Sequence, residues 1–373
     1  MYSCITQEYD SLVENETVWT CVWGTVYNNI NFSTEEKDDQ PEAVPTLQQA
    51  VYTGSSVGHI KLWYLKEESN TFELKYVCKQ NSPILRLLIN NANTLLVSKT
   101  LNGCIKIFDT FSMDIKFQFK ITDTIRNVNV QFSIDEMYLL TESSDKCLSF
   151  YDISNAQITS TYEIGEHFTS YILSHKGDVI IVGYNDGSVK TFDCVSAENN
   201  VTIHNPNIGS VTCMATCTKS FYLIIGFSSG ITKLYSQKYG ELLKIYEKPH
   251  KTAIVSIAVN PNNKTFVTLS RDFIMKVWNL NETLPEVKIK IHRELPKHIK
   301  YRHDKLTSEV DFRGLDNVKS YLMQEEGYYN FLPPNSLQQT YGQILFSKDG
   351  KKLLSVAHQF IALHSCPRSQ ARL

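Results

Sequence analysis

The chain has 373 residues, with 37 lysines and arginines against 39 aspartates and glutamates, so its formal net charge is −2. This near balance excludes the chain-wide basic surface of a protein that binds DNA or RNA along its whole length. Apolar residues make up 42% and charged residues 20%, a composition that supports a sizeable core and argues against a disordered chain. The longest aliphatic runs fall far short of the roughly 18 residues of a membrane helix, and no apolar leader follows Met1. We therefore expect a soluble, intracellular protein.

Nine cysteines are spread along the chain. Their number is odd, no CxxC motif occurs, and the closest pair, Cys213 and Cys217, falls in a predicted strand. Four residues along a strand separate two thiols by about 13 Å, which is too far for a shared metal ion or a disulfide. We expect reduced, buried thiols in a reducing compartment, with no disulfide, no metal site and no cofactor.

One sequence motif recurs along the chain. It consists of a turn, a strand with alternating apolar residues, and an aromatic residue that is usually followed by a polar one. Residues 58–63 (GHIKLW) and 103–109 (GCIKIFD) are its first two copies. The aromatic positions of the first six copies are Trp63, Phe108, Tyr151, Phe192, Tyr235 and Trp278, at spacings of 45, 43, 41, 43 and 43 residues. A degenerate seventh copy at residues 360–364 follows after an insertion about one period long. The pattern predicts seven equivalent structural units.

Each period contains four strand-like segments separated by turn residues, with almost no helical periodicity. In the fifth period, the segments are residues 211–217, 221–227, 231–235 and 241–246. The dipeptides Asn102-Gly103 and Asp186-Gly187 are typical of tight two-residue turns, in which φ is positive. This pattern excludes α/β folds and helical solenoids. Four strands in a period of this length are typical of one blade of a β-propeller.

These repeats resemble those of the WD-repeat proteins, which implies an all-β fold: a seven-bladed β-propeller in which residues 1–373 form one domain. In the sixth period, the positions of that family's structural hydrogen-bond chain are occupied by His250, Thr268, Asp272 and Trp278. Such a chain would tie the outer strands of the blade to its tight turn. The resemblance also implies that an N-terminal strand near residues 2–7 closes the ring as the outermost strand of the last blade, beside residues 360–365.

Two insertions exceed the repeat. Residues 28–49 contain five acidic residues with proline and asparagine, and predict an acidic loop. Residues 293–338 form a long insertion before the last blade. The segment 288–305, at its beginning, has seven lysines or arginines against two acids, so RNA or phosphate contact there is an alternative to a solvated loop. Aromatic residues later in this insertion favour docking on the propeller or on a partner.

Catalytic motifs are weak in this sequence. Residues 54–58 match the GxSxG pattern of serine hydrolases, but a strand rather than a helix follows Ser56, so the strained turn that exposes a nucleophile is not expected. Glu166 and His167 are an isolated acid–histidine pair at the beginning of a strand. The C-terminal residues 371–373 (ARL) resemble a peroxisomal address, which leaves a targeting role open. We expect no enzymatic activity and no catalytic residues.

A propeller of this kind has a rigid ring with loops on both faces. Proteins of the WD-repeat family generally bind peptides or subunits on one face, commonly the face on which the inner strands begin. The inner strands are predicted to begin near residues 19, 84, 125, 168, 210, 254 and 341. The candidate partner-binding residues among or beside them are Trp19, Arg126, Phe168 and Tyr341; packing within the blades is the alternative role for each.

A narrower resemblance lies at the two ends of the chain. Residues 18–25 (VWTCVWGT) and the segments 355–356 and 365–367 resemble the first and last blades of the WD-repeat subunits of the superkiller complex. The resemblance implies a non-catalytic scaffold subunit that binds a tetratricopeptide scaffold and a helicase in a cytoplasmic mRNA-decay complex. Members of the same family also belong to the nuclear polymerase-associated elongation complex. We therefore expect a cytoplasmic protein with the nucleus as a second location.

Two other hypotheses stay open at this point. The chain could be an unrelated WD-repeat adaptor, for instance in ubiquitin ligation or trafficking, with a different set of partners. It could also be a ligand-binding or hydrolytic propeller, which would require a metal or a charged cluster in the central channel. In each case we expect protein or small ligands as partners and no membrane.

Overall fold

The computed structural model describes residues 3–8, 16, 18–27, 47–66, 68, 71–121, 129–144, 146–217, 221–247, 249–272, 274–290, 343–357 and 360–365. In these residues, 28 β-strands form seven four-stranded antiparallel sheets. The predicted all-β fold with seven blades is confirmed. None of the described segments forms a helix with the length and hydrophobicity that crossing a bilayer requires.

The strands follow the chain from the inner to the outer edge of each blade. Blade 1 consists of β2 (Val18–Tyr27), β3 (Leu47–Ser55), β4 (His59–Lys66) and β5 (Thr71–Lys79), and blade 2 of β6 (Ile84–Ile89), β7 (Leu95–Thr100), β8 (Cys104–Asp109) and β9 (Ile115–Lys120). Blade 3 consists of β10 (Gln131–Phe132), β11 (Tyr138–Ser144), β12 (Cys147–Asp152) and β13 (Ile158–Glu163), and blade 4 of β14 (Phe168–Leu173), β15 (Val179–Tyr184), β16 (Val189–Asp193) and β17 (Asn199–Ile203). Blade 5 consists of β18 (Val211–Thr216), β19 (Tyr222–Phe227), β20 (Thr232–Ser236) and β21 (Leu242–Ile245), and blade 6 of β22 (Ile254–Val259), β23 (Thr265–Ser270), β24 (Ile274–Asn279) and β25 (Pro285–Lys290).

Blade 7 is built from both ends of the chain. Its strands are β26 (Gln343–Phe346), β27 (Lys352–Ala357), β28 (Phe360–Ser365) and, at the outer edge, β1 (Ser3–Glu8). β1 pairs antiparallel with β28, from Ser3 opposite Ser365 to Glu8 opposite Phe360. The predicted ring closure is confirmed, and the pairing holds the last blade to the start of the first.

The repeated aromatic residue marks a bulge in six blades. The pairing between the third and fourth strands shifts register at each of these positions, so that the outer strand carries one extra residue opposite the aromatic one. The six residues are Trp63, Phe108, Tyr151, Phe192, Tyr235 and Trp278, and all are buried. The repeated aromatic residue in the sequence therefore marks the same buried packing position in each of these blades.

The core is divided among the seams between blades. The described residues form seven buried apolar clusters, and each cluster joins two neighbouring blades. Between blades 5 and 6, the ring of Tyr246 lies 4.9 Å from that of Phe266 and 5.3 Å from that of Trp278, centroid to centroid. Edge-to-face packing of this kind adds to the burial of apolar area. The ring is thus stabilised by sheet-on-sheet packing all the way around.

Glycine on a second strand brings neighbouring sheets close together. A Cβ atom at Gly54 would lie 2.6 Å from Ile84 Cγ2, and one at Gly183 would lie 2.4 Å from Val211 Cγ1. In both cases, the contacted residue begins the inner strand of the next blade. Only glycine fits this approach, because any side chain would push the two sheets apart.

The two predicted insertions fall largely outside the described residues. Residues 28–46 and 291–342 are not among them. The predicted acidic loop, 28–49, is three residues too long, because Leu47, Gln48 and Gln49 belong to β3 and pair with the end of β2. The beginning of the basic segment, at residues 288–290, belongs to β25.

Candidate functional site

The inner strands of all seven blades meet at a cavity on the axis of the ring. Its volume is about 250 Å³. Blades 1, 2 and 3 contribute Trp19, Leu85, Arg86, Leu88, Asn129, Val130 and Gln131; blades 4 to 7 contribute Ser170, Tyr171, Ile172, Thr212, Cys213, Met214, Val255, Ser256, Ile257 and Gln343. Hydroxyl, amide and guanidinium groups alternate with aliphatic ones, so the wall can orient a polar ligand as well as exclude water.

The inner strands begin with a common distortion. Their pairing with the second strand shifts register in blades 1, 2, 4, 5 and 6, and in each case one residue of the inner strand bulges. The residue after the bulge is Thr20, Arg86, Ser170, Cys213 or Ser256. All but Arg86 are small. A bulge re-aims the side chains that follow it, and these five residues lie on or next to the cavity wall.

Polar side chains of the inner strands bond neighbouring blades to each other. Between blades 7 and 1, Gln343 Oε1 accepts hydrogen bonds from the Thr20 hydroxyl at 3.1 Å and from the Cys21 amide at 2.9 Å. Between blades 3 and 4, Gln131 Oε1 accepts a hydrogen bond from the Leu173 amide at 2.9 Å. These contacts satisfy backbone donors on the inner strands, which are the edges of their sheets, and they hold the wall in one arrangement.

A buried ion pair lies just outside the cavity, between blades 2 and 3. Lys99 Nζ is 3.2 Å from Glu142 Oε1 and donates to the Thr141 hydroxyl at 3.1 Å and the Asn129 carbonyl at 3.3 Å. Burial lowers the pKa of Lys99, while Glu142 acts in the opposite direction. Tyr171 of blade 4 donates to the same carbonyl of Asn129. Because every charge here has a partner, the cluster serves to join three blades.

A second buried cluster stands at the beginning of blade 1. Glu16 Oε1 lies 2.9 Å from His59 Nδ1, and Glu16 Oε2 lies 3.1 Å from Lys61 Nζ. The side chains of Glu16 and Lys61 have no exposed area. Glu16 precedes the inner strand of its blade, as His250 does in blade 6. The ion pair of Glu16 therefore takes the place in blade 1 that the contact of His250 with Thr268 has in blade 6.

The predicted hydrogen-bond chain of blade 6 has the following geometry. Thr268 Oγ1 lies 2.7 Å from His250 Nε2 and accepts a hydrogen bond from Trp278 Nε1 at 2.8 Å. Asp272 accepts a hydrogen bond from the hydroxyl of Ser270, and none of the hydrogen bonds among the described residues joins it directly to His250, Thr268 or Trp278. Burial, followed by the nearby Lys276, lowers the pKa of His250 to about 3, so its ring is neutral at pH 7.

Sequence reasoning missed related contacts in other blades. Trp63 Nε1 donates to Thr53 Oγ1 at 2.8 Å in blade 1, and His364 Nε2 lies 2.8 Å from Ser355 Oγ in blade 7. A signal was present, because Thr53 precedes Trp63 by ten residues, as Thr268 precedes Trp278. The hydrogen bond to the repeated aromatic position therefore extends beyond blade 6.

The four predicted partner-binding residues do not come together as a described surface. Trp19 is 3% exposed and lines the axial cavity as the bulged residue of β2. Phe168 is 6% exposed and packs against Tyr171, with 6.3 Å between ring centroids. Arg126 and Tyr341 lie outside the described residues. Burial of Trp19 and Phe168 favours packing within the ring, and their role as binding residues stays a prediction.

Exposed apolar side chains gather on one face of the ring. The far face carries the turns that join the first strand to the second and the third to the fourth, and it lies opposite the face on which the inner strands begin. Large apolar residues exposed at the far face, among those described, are Leu47, Phe111, Ile115, Ile134, Met137, Ile158, Val195, Phe221, Tyr222, Tyr239, Leu242 and Leu284. Three further large apolar residues, Phe117, Leu243 and Ile245, are exposed on outer strands, and none is exposed in the described turns of the other face.

Part of this surface spans three blades. A Cβ atom at Gly177, in blade 4, would lie 3.0 Å from Ile134 Cδ1 of blade 3. The neighbouring Lys176 holds its ammonium 5.1 Å from the ring centroid of Phe221 of blade 5. We name Ile134, Met137, Phe221 and Tyr222 the far-face patch. Clustered exposed apolar groups of this kind are typical of protein interaction sites.

The weak catalytic motifs have ordinary structural surroundings. Ser56 is 5% exposed in the turn from β3 to β4, so the segment is strand–turn–strand and differs from a nucleophile elbow. Glu166 lies 2.7 Å from Lys146 and 3.7 Å from His167, all at the surface. Among the described residues, no group of three or more His, Cys, Asp or Glu side chains is placed to hold a metal ion.

Comparison with known proteins agrees with this architecture. A WD40 family model, described as WD domain, G-beta repeat, matches residues 240–279. That segment ends at β24 of blade 6 and contains His250, Thr268 and Trp278. The matched segment therefore contains the repeat with the hydrogen-bond chain.

Three curated relatives show the breadth of the similarity. WD repeat-containing protein 55 of Arabidopsis thaliana is 25% identical over 204 residues, which cover 53% of this chain and 56% of that protein. The p21-activated protein kinase-interacting protein 1-like of Danio rerio is 27% identical over 111 residues, 30% of this chain and 29% of that protein. Cleavage stimulation factor subunit 50 of Arabidopsis thaliana is 27% identical over 154 residues, 40% of this chain and 35% of that protein. The chain spans about half the length of the first of these relatives and less of the others.

Proposed function

We propose that this chain, a seven-bladed β-propeller with WD repeats, is a non-catalytic scaffold that binds a protein partner through its far face. The observation that carries the proposal is the far-face patch. Met137 is 58% exposed and Phe221 is 54% exposed, whereas the repeated aromatic residues of the blades are buried. Large apolar groups at the surface of a rigid ring are a source of binding energy that the fold itself does not use.

The ring supports this role physically. Seven blades closed by the β1–β28 pairing hold the turns of each face in constant relative positions. A partner that docks on several turns then orders few groups of the scaffold on binding, which favours affinity. The relatives agree at this level, since one is a subunit of a cleavage stimulation factor and another is named as interacting with a protein kinase.

The identity of the complex is the finer part of the proposal. The resemblance of residues 18–25 to the superkiller subunits favours an mRNA-decay complex with a tetratricopeptide scaffold and a helicase, in the cytoplasm and also in the nucleus. The relatives described above do not include such a subunit, and one of them is named as a subunit of a cleavage stimulation factor. An adaptor in ubiquitin ligation or trafficking is the competing assignment, and only its co-purifying proteins distinguish it.

Affinity purification of the full chain, followed by mass spectrometry, tests the proposal. The informative variant is Phe221→Ser on the far face, and its matched control is Phe117→Ser on β9, where another phenylalanine is 38% exposed at the outer edge of blade 2. We expect Phe221→Ser to reduce the recovery of the main partner about tenfold, as expected for a central apolar contact, and Phe117→Ser to leave it unchanged.

The outcomes separate the face, the function and the complex. Equal recovery with both variants would overturn the assignment of the far face. A wild-type chain recovered as a free monomer, without any stoichiometric partner, would overturn the scaffold function. Recovery of a tetratricopeptide protein together with a helicase would support the mRNA-decay complex, and ubiquitin-ligase or trafficking subunits would support the competing assignment.

A further inference from the structure

One charged side chain lines the axial cavity among the described residues, and it belongs to Arg86 of β6. The other lining residues are neutral polar or apolar side chains. Arg86 follows the bulge of its inner strand, at the position where blades 1, 4, 5 and 6 have threonine, serine or cysteine. A guanidinium there places a full positive charge on the axis of the ring, since arginine keeps its proton inside proteins.

The described residues do not neutralise this charge. The Nε atom of Arg86 is shielded from solvent and has no hydrogen-bond partner, and no described carboxylate lies within salt-bridge distance of the guanidinium. Burial lowers the pKa of Arg86, and the Cys21 thiol and the Tyr171 phenol act in the opposite direction. Burial raises the pKa of both well above their ordinary values, so both are neutral at pH 7.

The adjacent ion pair does not serve Arg86. Lys99 lies directly opposite Arg86 on the neighbouring strand β7, and it engages Glu142 at 3.2 Å. The pair is neutral as a whole, and one carboxylate has already been matched with one ammonium. The net charge of this group of three side chains is therefore +1, which a buried site tolerates only with a counter-charge or water.

Neighbouring amides are oriented as donors. The carbonyl oxygens of Gln131 and Gln343 are occupied by backbone amides of Leu173 and Cys21, so the two NH₂ groups remain to donate. Both residues line the cavity, as does the hydroxyl-bearing Ser170. The wall thus combines one cation with neutral donors from blades 3, 4 and 7.

We propose that the axial cavity binds one anionic oxygen group, a carboxylate or a phosphate, on the guanidinium of Arg86. A planar guanidinium pairs with either group through two parallel hydrogen bonds, and removal from bulk water strengthens this pairing. A cavity of about 250 Å³ has room for such a group together with several of its waters. The site is on the axis and is separate from the far-face patch, so the inference goes beyond the scaffold function.

Isothermal titration calorimetry on the full chain tests the site, with inorganic phosphate in one arm and acetate in the other, at constant ionic strength maintained with chloride. The two arms distinguish the phosphate source from the carboxylate source. We expect saturable binding of at least one of them by the wild type. Arg86→Gln is expected to weaken that binding roughly 10- to 100-fold, as expected for loss of a charge-assisted hydrogen-bonded pair.

Two further variants make the result decisive. Lys264→Gln removes one positive charge from an exposed position of blade 6 and is expected to bind like the wild type. Arg86→Lys keeps the positive charge but loses the planar guanidinium that can make two parallel hydrogen bonds, so we expect it to weaken anion binding less than Arg86→Gln does. If circular dichroism shows that Arg86→Gln does not fold, Arg86→Lys takes its place in the test. Absence of binding by the wild type in both arms, or equal binding by wild type and Arg86 variants, would overturn the inference. Neither result would bear on partner recovery through Phe221.

Discussion

Two cations face each other in blade 2, and their surroundings differ. Arg86 on β6 and Lys99 on β7 are directly opposite in the ladder. Lys99 is satisfied by Glu142, Thr141 and a backbone carbonyl of blade 3, whereas the Nε atom of Arg86 has no hydrogen-bond partner among the described residues. The seam between blades is therefore balanced within the chain, while the axial side of the same sheet has an excess positive charge. This contrast separates groups that hold the ring together from a group that is available to a ligand.

The largest effect on stability is expected from breaking the buried ion pair between Lys99 and Glu142. Glu142→Gln leaves the ammonium of Lys99 buried without a counter-charge, so we expect a loss of roughly 3–5 kcal/mol in the free energy of unfolding, measured by urea denaturation. Glu163→Gln is the control, because Glu163 is an exposed residue of the same blade. A loss for Glu142→Gln no greater than that of the control would show that the pair is not essential to the seam.

Acid tests the neutral histidine of blade 6. The pKa of His250 is lowered from 6.5 to about 3, so between these values the unfolded chain binds a proton that the folded chain does not. Stability then falls as the pH is lowered through this window, and the contribution of His250 is about 3 kcal/mol between pH 7 and pH 4. Denaturation curves at several pH values should show a shallower dependence for His250→Gln than for the wild type. An unchanged dependence would mean that His250 is protonated in the fold.

A smaller effect is expected at the hydroxyl that links His250 to Trp278. Thr268→Val keeps the shape but leaves both partners without their hydrogen bond, so we expect a loss of about 2–3 kcal/mol. Thr53→Val in blade 1 removes the contact to Trp63 alone among the contacts described here and should cost about 1–2 kcal/mol. Equal losses in the two variants, measured by the same denaturation assay, would show that the histidine contact adds nothing.

The smallest effect is expected on the axial side. Arg86→Gln removes a charge that has no described counter-charge, so the free energy of unfolding in a buffer without phosphate or carboxylate should change by less than about 1 kcal/mol. Chemical denaturation beside Glu142→Gln checks this directly. A loss as large as that of Glu142→Gln would reveal a counter-charge for Arg86 within the chain and would remove the contrast.

The blade count could be predicted because its signal is local and repeated. The aromatic position, the turn before it and the alternation of the third strand fall within a few residues of each other, and each blade meets the same packing demand. In the first six copies, the aromatic residue is buried and lies at the same bulge of the blade. The closing strand, near residues 2–7, was predicted within one residue of the observed β1.

The site could not be predicted in the same way. Arg86, Gln131 and Gln343 belong to blades 2, 3 and 7, and no spacing in the chain shows that they share one cavity. Trp19 was predicted as a candidate binding residue, with packing within a blade as the alternative, and the structure places it at the bulge of β2, on the wall of the axial cavity. A comparison of the residues after each bulge would have singled out Arg86, since the equivalent positions have short side chains.

The order of amino acids alone determined the strands, their repeat and the number of sheets, because alternating apolar positions and turn dipeptides act over a few residues. Only the closed ring decided which side chains line the axial cavity, on which face large apolar side chains stay exposed, and which buried cation forms an ion pair with a carboxylate. Those properties depend on how seven sheets twist and pack against one another, and burial changes the energy of a charge far more than its place in the chain does.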